Sequence, residues 1–549
     1  MLGSIATFAL FSVASASPQW GWWPGYKPEP HGHGHGSHSA IITDLSVIQQ
    51  YWGQITPYHD NTEDHFGIKD VGLPDGCQVE QAHSLQRHAQ RFPTSTFDDG
   101  GNDEHFAAKL ANFTKAHPSK KFTGPLEFLN TYQYIMSESL LTGIGAQTEF
   151  QAGVAFWNRY GRTLYNATLG QLAYNASNPD GTKRKKPVLR TTSQSRIWNS
   201  QINWALGFFG PSFEATPDPK ISDAESGFNV VVIPEGGTEN NTLASYDSCA
   251  NDNTDPIVAL GDDDLEGYVA IYLKDATERL QKYAPSGFKF TVNDTYAFQS
   301  ICAYETAYIG QSDFCDFFTV EEWTGFENTL DIEYYYDYSY GNPTGRSQGI
   351  GYLQELIARL TNKLITVSES SINTTITDNA KDFPLGEKFY NDLTHDDIIV
   401  SVLTAMSFDY FKDAPSLTKF PPNPDRHFIL SNMTPFGGRL ITEVIGCASA
   451  NPKPFPNHRT YYTPMQYGYD PSNAPHKFLR FRLNNGILPV STIRGGACGK
   501  RSDGLCTLSD FLESQKDADK LANYQFSCFG NYTIKFPNGG KDFDGTISA

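Results

Sequence analysis

Short runs of β-branched and aromatic residues recur along the 549-residue chain, with longer helical patterns between them. Runs of this length, bounded by turn-forming residues, are typical of strands. We predict strands over residues 78–85, 187–189, 228–233, 428–430, 439–445 and 478–483. The β-branched run at 228–233 predicts a buried strand. Asn484-Asn485-Gly486, followed by apolar residues 487–490, is typical of a β-hairpin.

The segments between these strands carry helical patterns. Apolar spacing predicts helices over residues 126–141 and 150–169. A third helix is predicted over residues 398–406, with Thr394 or a following aspartate as its N-cap. Strands interleaved with helices predict an α/β core with a large helical insertion.

The first residues have the pattern of a secretory signal peptide. In residues 1–16 an apolar stretch is followed by Ala14-Ser15-Ala16, a small-residue cleavage pattern. This stretch is too short to span a bilayer, and no later segment has the pattern of a membrane span or a lipid anchor. We therefore expect a secreted, extracellular protein without a membrane partner.

Residues 17–43 are rich in Pro, Gly and His and predict a disordered lead-in. The closely spaced histidines have two interpretations, a solvated tail, which we favour, or a Zn or Cu site. They are His31, His33, His35 and His38. One globular domain is predicted over residues 44–549, made of the α/β core and an inserted helical sub-domain.

Cysteines and glycosylation sequons support secretion. The chain has 8 cysteines, and an even number fits complete disulfide pairing in an oxidising compartment. The cysteines are Cys77, Cys249, Cys302, Cys315, Cys447, Cys498, Cys506 and Cys528. The sequons begin at Asn112, Asn166, Asn175, Asn240, Asn293, Asn373, Asn432 and Asn531. Free thiols and unused sequons are the alternative interpretation.

The formal charge of −19 narrows the class of partner. An acidic chain is unsuited to non-specific nucleic-acid binding, so we expect no nucleic-acid partner. The same charge repels an anionic substrate at long range. A phosphate site in this protein must therefore create its own local positive field.

The segment Arg87-His88-Ala89-Gln90-Arg91-Phe92-Pro93 places a histidine between two arginines. If the segment is a helical turn, Arg87 and Arg91 lie on one face. Guanidinium groups suit phosphate oxygens, and a neutral His88 among them can attack phosphorus and carry a covalent phosphoryl group. The alternative is a surface pair of arginines beside an incidental histidine, and the motif alone leaves both open.

Phosphoryl transfer needs further cations and an acid for the leaving group. Arg190 follows the predicted strand 187–189, where a purely structural arginine is the alternative. His395 and Asp396 stand at the start of a predicted helix, whose N-terminal amides favour anions. His395 is a candidate donor to phosphate, and Asp396 is a candidate proton donor or simply a helix cap.

Several segments, in the same order, resemble the secreted fungal histidine acid phosphatases, in particular the phytase-like branch. They are residues 50–54, 87–94, 189–196, 314–319, 349–360 and 394–396. The resemblance implies an α/β, histidine-phosphatase-like (phosphoglycerate-mutase-like) sheet flanked by helices, with a large helical insertion. It also implies an acid phosphatase.

The resemblance implies a role for each site residue. His88 is the implied nucleophile and Asp396 the implied proton donor. The implied phosphate ligands are Arg87, Arg91, Arg190 and His395. No metal or cofactor is expected, because arginines replace magnesium. An ordinary aspartate, with a pKa of about 4, fits an acidic optimum. The implied disulfides are Cys77–Cys447, Cys249–Cys528, Cys302–Cys315 and Cys498–Cys506.

Two departures from the family bear on substrate and rate. Ala89 stands where the family usually has glycine, so its methyl group either narrows the phosphate site or is accommodated by ordinary dihedrals. Residues 97–104 are acidic where phytases of this type carry lysines. That loop either repels phytate at the entrance or points away from the site.

We therefore carry three hypotheses for function. The first is an acid phosphomonoesterase acting on small phosphate monoesters, and the second is a 3-phytase acting on inositol phosphates. The third is a catalytically impaired secreted protein that binds phosphorylated ligands. The sequence predicts neither the physiological substrate nor the oligomeric state.

Overall fold

The computed structural model describes most of the chain from residue 40 onward. The described ranges are 40–96, 99–168, 170–178, 180–210, 227–457, 473–534 and 541–548. The predicted signal peptide and the histidine-containing part of the lead-in lie outside the described residues.

A mixed sheet of eight strands, in the order β3-β2-β4-β1-β5-β6-β7 with β8 paired to β6, forms the centre of the fold. The strands are β1 (Cys77–Arg87), β2 (Val188–Thr192), β3 (Asn229–Ile233), β4 (Phe389–Thr394), β5 (Arg439–Cys447), β6 (His476–Leu483), β7 (Gly486–Ile487) and β8 (Cys506–Thr507). The pairs β2–β3, β2–β4 and β1–β4 are parallel, whereas β5 and β6 pair antiparallel. Parallel pairing requires crossover connections, and these carry the helices.

The register of the parallel strands fixes where chemistry can occur. Arg87 at the end of β1 lies opposite Thr394 at the end of β4. The residues that follow, His88 and His395, therefore leave the sheet side by side. The carboxyl edge of a parallel sheet is where α/β proteins commonly build their sites.

Helices cover both faces of the sheet. The longer ones are α1 (Gly101–Ala116), α2 (Gly143–Phe156), α3 (Ser195–Phe209), α4 (Asp262–Tyr272), α5 (Lys274–Gln281), α6 (Val292–Ile309), α7 (Val320–Tyr338), α8 (Gly345–Thr361), α9 (Asp396–Ala405) and α10 (Leu508–Ser514). Capping boxes at Thr291 and Thr319 start α6 and α7. Helices α2 and α3 pack closely, since a Cβ on Gly153 or Gly207 would meet a backbone oxygen of the other helix at 2.0 Å.

Most predicted strands of the sheet are confirmed. Residues 78–85, 187–189, 228–233, 439–445 and 478–483 fall in β1, β2, β3, β5 and β6. The hairpin is confirmed too, since Leu483 pairs with Gly486 across Asn484 and Asn485, which have φ of 46° and 76°. The predicted helix at 398–406 is α9, extended to Asp396. These segments have strong local signals that agree with their tertiary environment.

Other local predictions are wrong. Residues 126–141 form only a 3-10 segment, Gly124–Asn130, and Ser139 has a left-handed φ of 59° that a helix excludes. Residues 428–430 run into a short helix, Leu430–Met433, instead of a strand. The run at 228–233, predicted as a buried strand, contains the edge strand β3, and of its residues Phe228 and Ile233 are buried while 229–232 are half-buried or exposed.

Two helix ends also differ from the predictions. Helix α2 begins at Gly143, before the predicted 150–169 segment, and a π turn at Trp157–Gly161 follows it. Thr394 does not cap α9, because it ends β4 and its hydroxyl donates to the carbonyl of Leu243 at 2.6 Å.

The eight cysteines form the four disulfides that the resemblance implied. They are Cys77–Cys447, Cys249–Cys528, Cys302–Cys315 and Cys498–Cys506. The first joins the start of β1 to the end of β5, next to each other in the sheet. No helix in the described part of the chain has the length and apolar character of a membrane span.

A buried aspartate makes the stability of this fold depend on pH. Burial raises the pKa of Asp252 to about 7, against hydrogen bonds from Thr344 and Gln348 that lower it. A carboxyl whose folded-state pKa is raised stabilises the fold in acid and loses that contribution as pH rises toward 7. Asp252→Asn keeps an oxygen acceptor and does not ionise.

We expect Tm to depend less on pH in Asp252→Asn than in the wild type between about pH 4 and about pH 8. In the wild type, ionisation of Asp252 over this range lowers the free energy of unfolding by at most about 4 kcal/mol, and the variant has no such group. The exposed Asp425 provides a matched control, Asp425→Asn, which keeps the wild-type slope. Calorimetry at several pH values measures both. An unchanged slope in Asp252→Asn would show that Asp252 is not the group responsible.

Candidate active site

His88 is buried directly after the last residue of β1. Its Nδ1 lies 2.8 Å from the carbonyl oxygen of Ala89, and its Nε2 lies 3.3 Å from Nε of Arg196. A carbonyl only accepts, so Nδ1 carries the proton, and the Nε2 lone pair faces Arg196. This tautomer presents a free ring nitrogen where a nucleophile is needed.

The surroundings of His88 keep its ring neutral. Burial lowers the pKa of His88 well below its usual value, and Arg87, Arg196 and Arg91 lower it further. A free histidine is mostly protonated in acid and is then no nucleophile. Because its pKa is depressed, His88 keeps its lone pair under acidic conditions.

Ala89 fits the backbone without strain. It is fully buried, and it is not among the residues with positive φ, so the position does not require glycine. Its N–H donates to Oγ of Ser200 at 3.4 Å, and its carbonyl accepts from His88. The methyl group is accommodated by ordinary dihedrals, and this removes the only sequence reason for the hypothesis of an impaired enzyme.

Arg87 is fully buried at the end of β1 and is held on several sides. Its Nη1 donates to the carbonyls of Gln54 and Thr434, and its guanidinium lies 4.5 Å from the centre of the Phe436 ring. Its Nη2 lies 2.7 Å from Oδ2 of Asp396. Arg87 is thus a fixed cation that links the predicted phosphate site to the predicted proton donor.

Arg91 reaches the site from the loop after His88 and not from a helical turn, so the predicted helical turn is wrong. The loop is extended, and Arg91 forms a β-bridge with Leu141. Both oxygens of Asp99 accept from Arg91, at 2.7 Å and 3.0 Å, and the Tyr304 hydroxyl donates to the same carboxylate. A bidentate pair of this kind fixes a guanidinium plane.

The described part of the acidic loop that contains Asp99 has one exposed carboxylate, Glu104, whereas Asp99 and Asp103 are buried. Asp99 is buried against Arg91, which outweighs burial and lowers the pKa of Asp99. Asp103 is also buried, accepts from Ser300 at 2.9 Å, and has a pKa raised well above its usual value by burial. The charge of Asp99 is compensated by Arg91, so Glu104, which accepts from Ser95, is the exposed acid left in the described part of the loop.

Asp396 is the first residue of α9, and Oδ2 is its engaged oxygen. Tyr334 donates to Oδ2 at 2.8 Å, and Arg87 contacts the same atom. Burial alone would raise the pKa of Asp396, but Arg87 and Arg91 outweigh burial and hold the pKa below its usual value. A bound phosphate offsets those cations, so a proton on Asp396 is easier to hold once substrate is present.

His395 precedes Asp396 and faces His88, with 5.9 Å between ring centres. Its Nε2 lies 2.9 Å from Oε1 of Glu235 and 3.2 Å from the hydroxyl of Tyr246. Tyr246 also donates to Oε2 of Glu235 at 3.0 Å. Glu235, just beyond β3, thus sets the orientation of His395.

The prediction for Arg190 is wrong, because its guanidinium is already fully engaged. Nη1 and Nη2 donate to Glu355 at 2.9 Å and 2.7 Å, and Nε donates to Asp392 at 2.7 Å. Arg359 of α8 contacts the same Asp392. Arg190 sits inside β2, opposite Asp392 of β4, so its side chain is committed within the protein core.

Arg196, not Arg190, is the arginine of this segment that lies beside His88, with its Nε 3.3 Å from Nε2 of the histidine. It lies in the first turn of α3, is buried, and makes no ion pair with any described residue. The resemblance pointed to the segment 189–196, and within it the arginine beside His88 is Arg196, whereas Arg190 is held by Glu355 and Asp392. The predicted strand ended at residue 189, whereas β2 continues to Thr192. With the strand end placed at Thr192, the sequence would have indicated Arg196, because the arginine beyond the strand is the one that can face the carboxyl edge of the sheet.

Sequence reasoning also missed the residues that orient the site. They are Gln54, Asp99, Ser200, Glu235, Tyr246, Tyr334 and Phe436. No described group of three or more His, Cys, Asp or Glu side chains is arranged to hold a metal. The histidine-rich lead-in lies outside the described residues.

The arrangement contains the parts that phosphoryl transfer requires. It has a neutral histidine with an available nitrogen, three guanidinium groups around it, and a carboxyl group held by one oxygen. Cations placed before reaction stabilise the charge on the transferring group, and a carboxyl can protonate the departing oxygen.

Known proteins share sequence with most of this chain. The model of the histidine phosphatase superfamily, branch 2, matches residues 78–462. Phytase A of Aspergillus oryzae is 29% identical over 483 residues, which cover 85% of this chain and 88% of the relative. Phytase A of Aspergillus fumigatus is 28% identical over 484 residues, covering 87% and 90%.

Solved structures show the same fold. The phytase from D. castellii superposes with a TM-score of 0.62 at 20% identity, covering 91% of this chain and 92% of that one. A Bifidobacterium longum multiple inositol polyphosphate phosphatase in complex with inositol hexasulfate superposes with a TM-score of 0.50 at 12% identity, covering 83% and 95%.

Proposed function

Because the chain belongs to branch 2 of the histidine phosphatase superfamily and is a phosphoric monoester hydrolase, we propose that His88 carries the phosphoryl group in a two-step reaction. Arg87, Arg91, Arg196 and His395 hold the phosphate, and Asp396 transfers the proton. The domain that does this is proposed to span residues 44–549.

In the first step, Nε2 of His88 attacks phosphorus, the phosphorus–oxygen ester bond breaks, and Asp396 gives its proton to the departing alcohol. In the second step, water attacks the phosphohistidine, Asp396 takes a proton from that water, and the phosphorus–nitrogen bond breaks. Inorganic phosphate leaves, and both residues regain their starting forms.

The observation that carries this proposal is the state of His88. Its Nδ1–H is used by its own backbone neighbour, its Nε2 faces Arg196, and its pKa is held far below the ordinary value by burial and arginines. A structural histidine needs none of these features. They support an enzyme that works in acid, where Asp396 is more readily protonated.

Charge pairing in the site favours small monoesters over polyphosphates. Two of the site arginines face carboxylates, Arg87 facing Asp396 and Arg91 facing Asp99, and Glu235 adds a carboxylate beside His395. Only Arg196 among the three site arginines lacks a carboxylate partner among the described residues. A site this nearly balanced attracts a highly charged ligand weakly at long range.

Phytate remains the second candidate substrate. Relatives at 28–29% identity over most of this chain are named phytase A. Of the two alternatives for the acidic loop, repulsion of phytate is weakened at Asp99, because this residue is paired with Arg91. The alternative activity is therefore that of a 3-phytase on myo-inositol hexakisphosphate.

Assays at about pH 3 to about pH 7 separate the two substrates. We expect aryl and alkyl monoesters to be hydrolysed, with kcat/KM for phytate within about tenfold of that for the monoesters. Asp396→Asn should lower kcat for alkyl phosphates by about 10²-fold or more, since it has no proton to give. A phytate preference beyond about a hundredfold would favour the phytase, and full activity in Asp396→Asn would remove Asp396 from the mechanism.

We propose that the protein is secreted and N-glycosylated. The predicted signal peptide, the four disulfides and the family of the relatives support secretion. The sequons with exposed asparagines are the better acceptors. They are Asn112, Asn166, Asn175, Asn240 and Asn531, whereas Asn293, Asn373 and Asn432 are half-buried.

A further inference from the structure

Tyr334 contacts the carboxyl of Asp396 from the helical side of the site. It lies on α7, is 6% exposed, and donates from its hydroxyl to Oδ2 of Asp396 at 2.8 Å. No step of the two-step reaction uses this phenol. Its position on a long helix packed into the core makes the contact a fixed feature of the site.

Arg87 contacts the same oxygen of Asp396. Its Nη2 lies 2.7 Å from Oδ2, so this one atom has both a cationic and a phenolic partner. The other oxygen, Oδ1, accepts no hydrogen bond from the described residues. A proton on Oδ2 would compete with the Tyr334 hydroxyl donor and with the charge of Arg87, whereas Oδ1 has neither contact among the described residues.

We propose that Tyr334 is a positioning residue for Asp396: with Arg87 it holds Oδ2, so that Oδ1 carries the proton to the leaving group. This inference rests on the proposed function, in which Asp396 is the proton donor. It assigns the transferring atom and a residue that selects it.

The electrostatic surroundings of Asp396 are mixed, and Tyr334 is the neutral partner among them. The charged and titratable groups that face Asp396 are Arg87, Arg91, Arg196, His395 and Asp397. Burial and the nearby Asp396 raise the pKa of the Tyr334 phenol well above its usual value. Tyr334 therefore stays a protonated donor across the whole working range.

Loss of this hydroxyl has two consequences for Asp396. The carboxylate loses a hydrogen bond that stabilises its charged form, so its pKa rises. The carboxyl also loses one of the two contacts that fix its plane. Both effects matter most for a poor leaving group, because a good leaving group departs without a proton.

The test compares Tyr334→Phe with wild type on an alkyl phosphate and on p-nitrophenyl phosphate. We expect kcat for the alkyl ester to fall about tenfold, with the alkaline limb of its pH profile moved up by about half to one unit. For the nitrophenyl ester kcat changes by less than about twofold, and inhibition by inorganic phosphate is unchanged. The ratio of the two kcat values is independent of the fraction of enzyme that folds.

Tyr335→Phe is the matched control, because Tyr335 is also buried on α7 but donates to the carbonyl of Lys412 at 2.6 Å. It should leave the ratio of the two kcat values at its wild-type value. Equal losses on both esters in Tyr334→Phe, or an unmoved alkaline limb, would overturn the proposal.

A double variant separates this inference from the proposed function. If Tyr334 acts through Asp396, adding Tyr334→Phe to Asp396→Asn causes no further loss on the alkyl ester. A further loss there overturns the inference but leaves Asp396 as the proton donor. Full activity of Asp396→Asn alone defeats the proposed function instead.

Discussion

Replacing His88 by alanine is expected to lower kcat by at least about 10⁴-fold, for aryl and alkyl phosphates alike. The reason is geometric: Nε2 of His88 is unprotonated and faces Arg196, and the proposed reaction assigns the role of nucleophile to no other residue. Rapid quenching of the wild-type enzyme in alkali, where the phosphorus–nitrogen bond survives, should trap labelled phosphate on His88. Peptide mapping then identifies the labelled residue.

His105→Ala provides the control for this experiment, because His105 is exposed on α1. It should retain wild-type kcat and the label on His88. Label on any other residue, or substantial turnover by His88→Ala, would contradict the covalent mechanism.

The same residue predicts how activity responds to acid. Burial and three arginines lower the pKa of His88, so the histidine loses its nucleophilic form only well below pH 6.5. In the proposed mechanism the alkaline limb belongs to Asp396, which must be protonated to serve as an acid. Bound phosphate raises the pKa of Asp396 relative to the empty site, so the limb for kcat lies at higher pH than the limb for kcat/KM.

The central sheet could be predicted because its signals are local. The strands β1, β5 and β6 alternate or cluster apolar residues, and the Asn484-Asn485 turn has its own conformational preference. The helix prediction at 126–141 failed for the opposite reason. Its apolar residues include Ile135, 71% exposed, and Leu140, 50% exposed, so no buried face stabilises a helix there.

The site could be predicted only where it follows directly from a motif. His88 and Asp396 emerge next to each other because β1 and β4 are adjacent and parallel. The pairing of Arg91 with Asp99 depends on how a loop folds back, and spacing does not encode it. Tyr334 and Asp396 are 62 positions apart and lie on two different helices. Their contact depends on how these helices pack, which the sequence pattern does not predict.

The two arginines of the segment 189–196 provide the second large prediction. Arg196→Ala should lower kcat/KM by about 10²–10³-fold and weaken inhibition by phosphate. It removes a guanidinium that has no carboxylate partner among the described residues and whose Nε lies 3.3 Å from Nε2 of His88. Its effect on the free energy of unfolding should be small, since Arg196 makes no ion pair within the described residues. Kinetics and urea unfolding on the same preparations measure both quantities.

Arg190→Met should show the reverse pattern. It leaves Glu355 without its bidentate partner and Asp392 with Arg359 alone, so the fold should lose about 3–5 kcal/mol. The fraction that folds should keep nearly normal inhibition by phosphate. Lysine variants test the same contrast. Arg196→Lys keeps a positive charge near His88 and should recover part of the activity. Arg190→Lys should not restore stability, because one ammonium group cannot replace the three N–H groups that donate to Glu355 and Asp392. If folded Arg190→Met lost phosphate affinity as Arg196→Ala does, the third phosphate ligand would have to be reassigned to Arg190, and β2 would have to move during catalysis to release it.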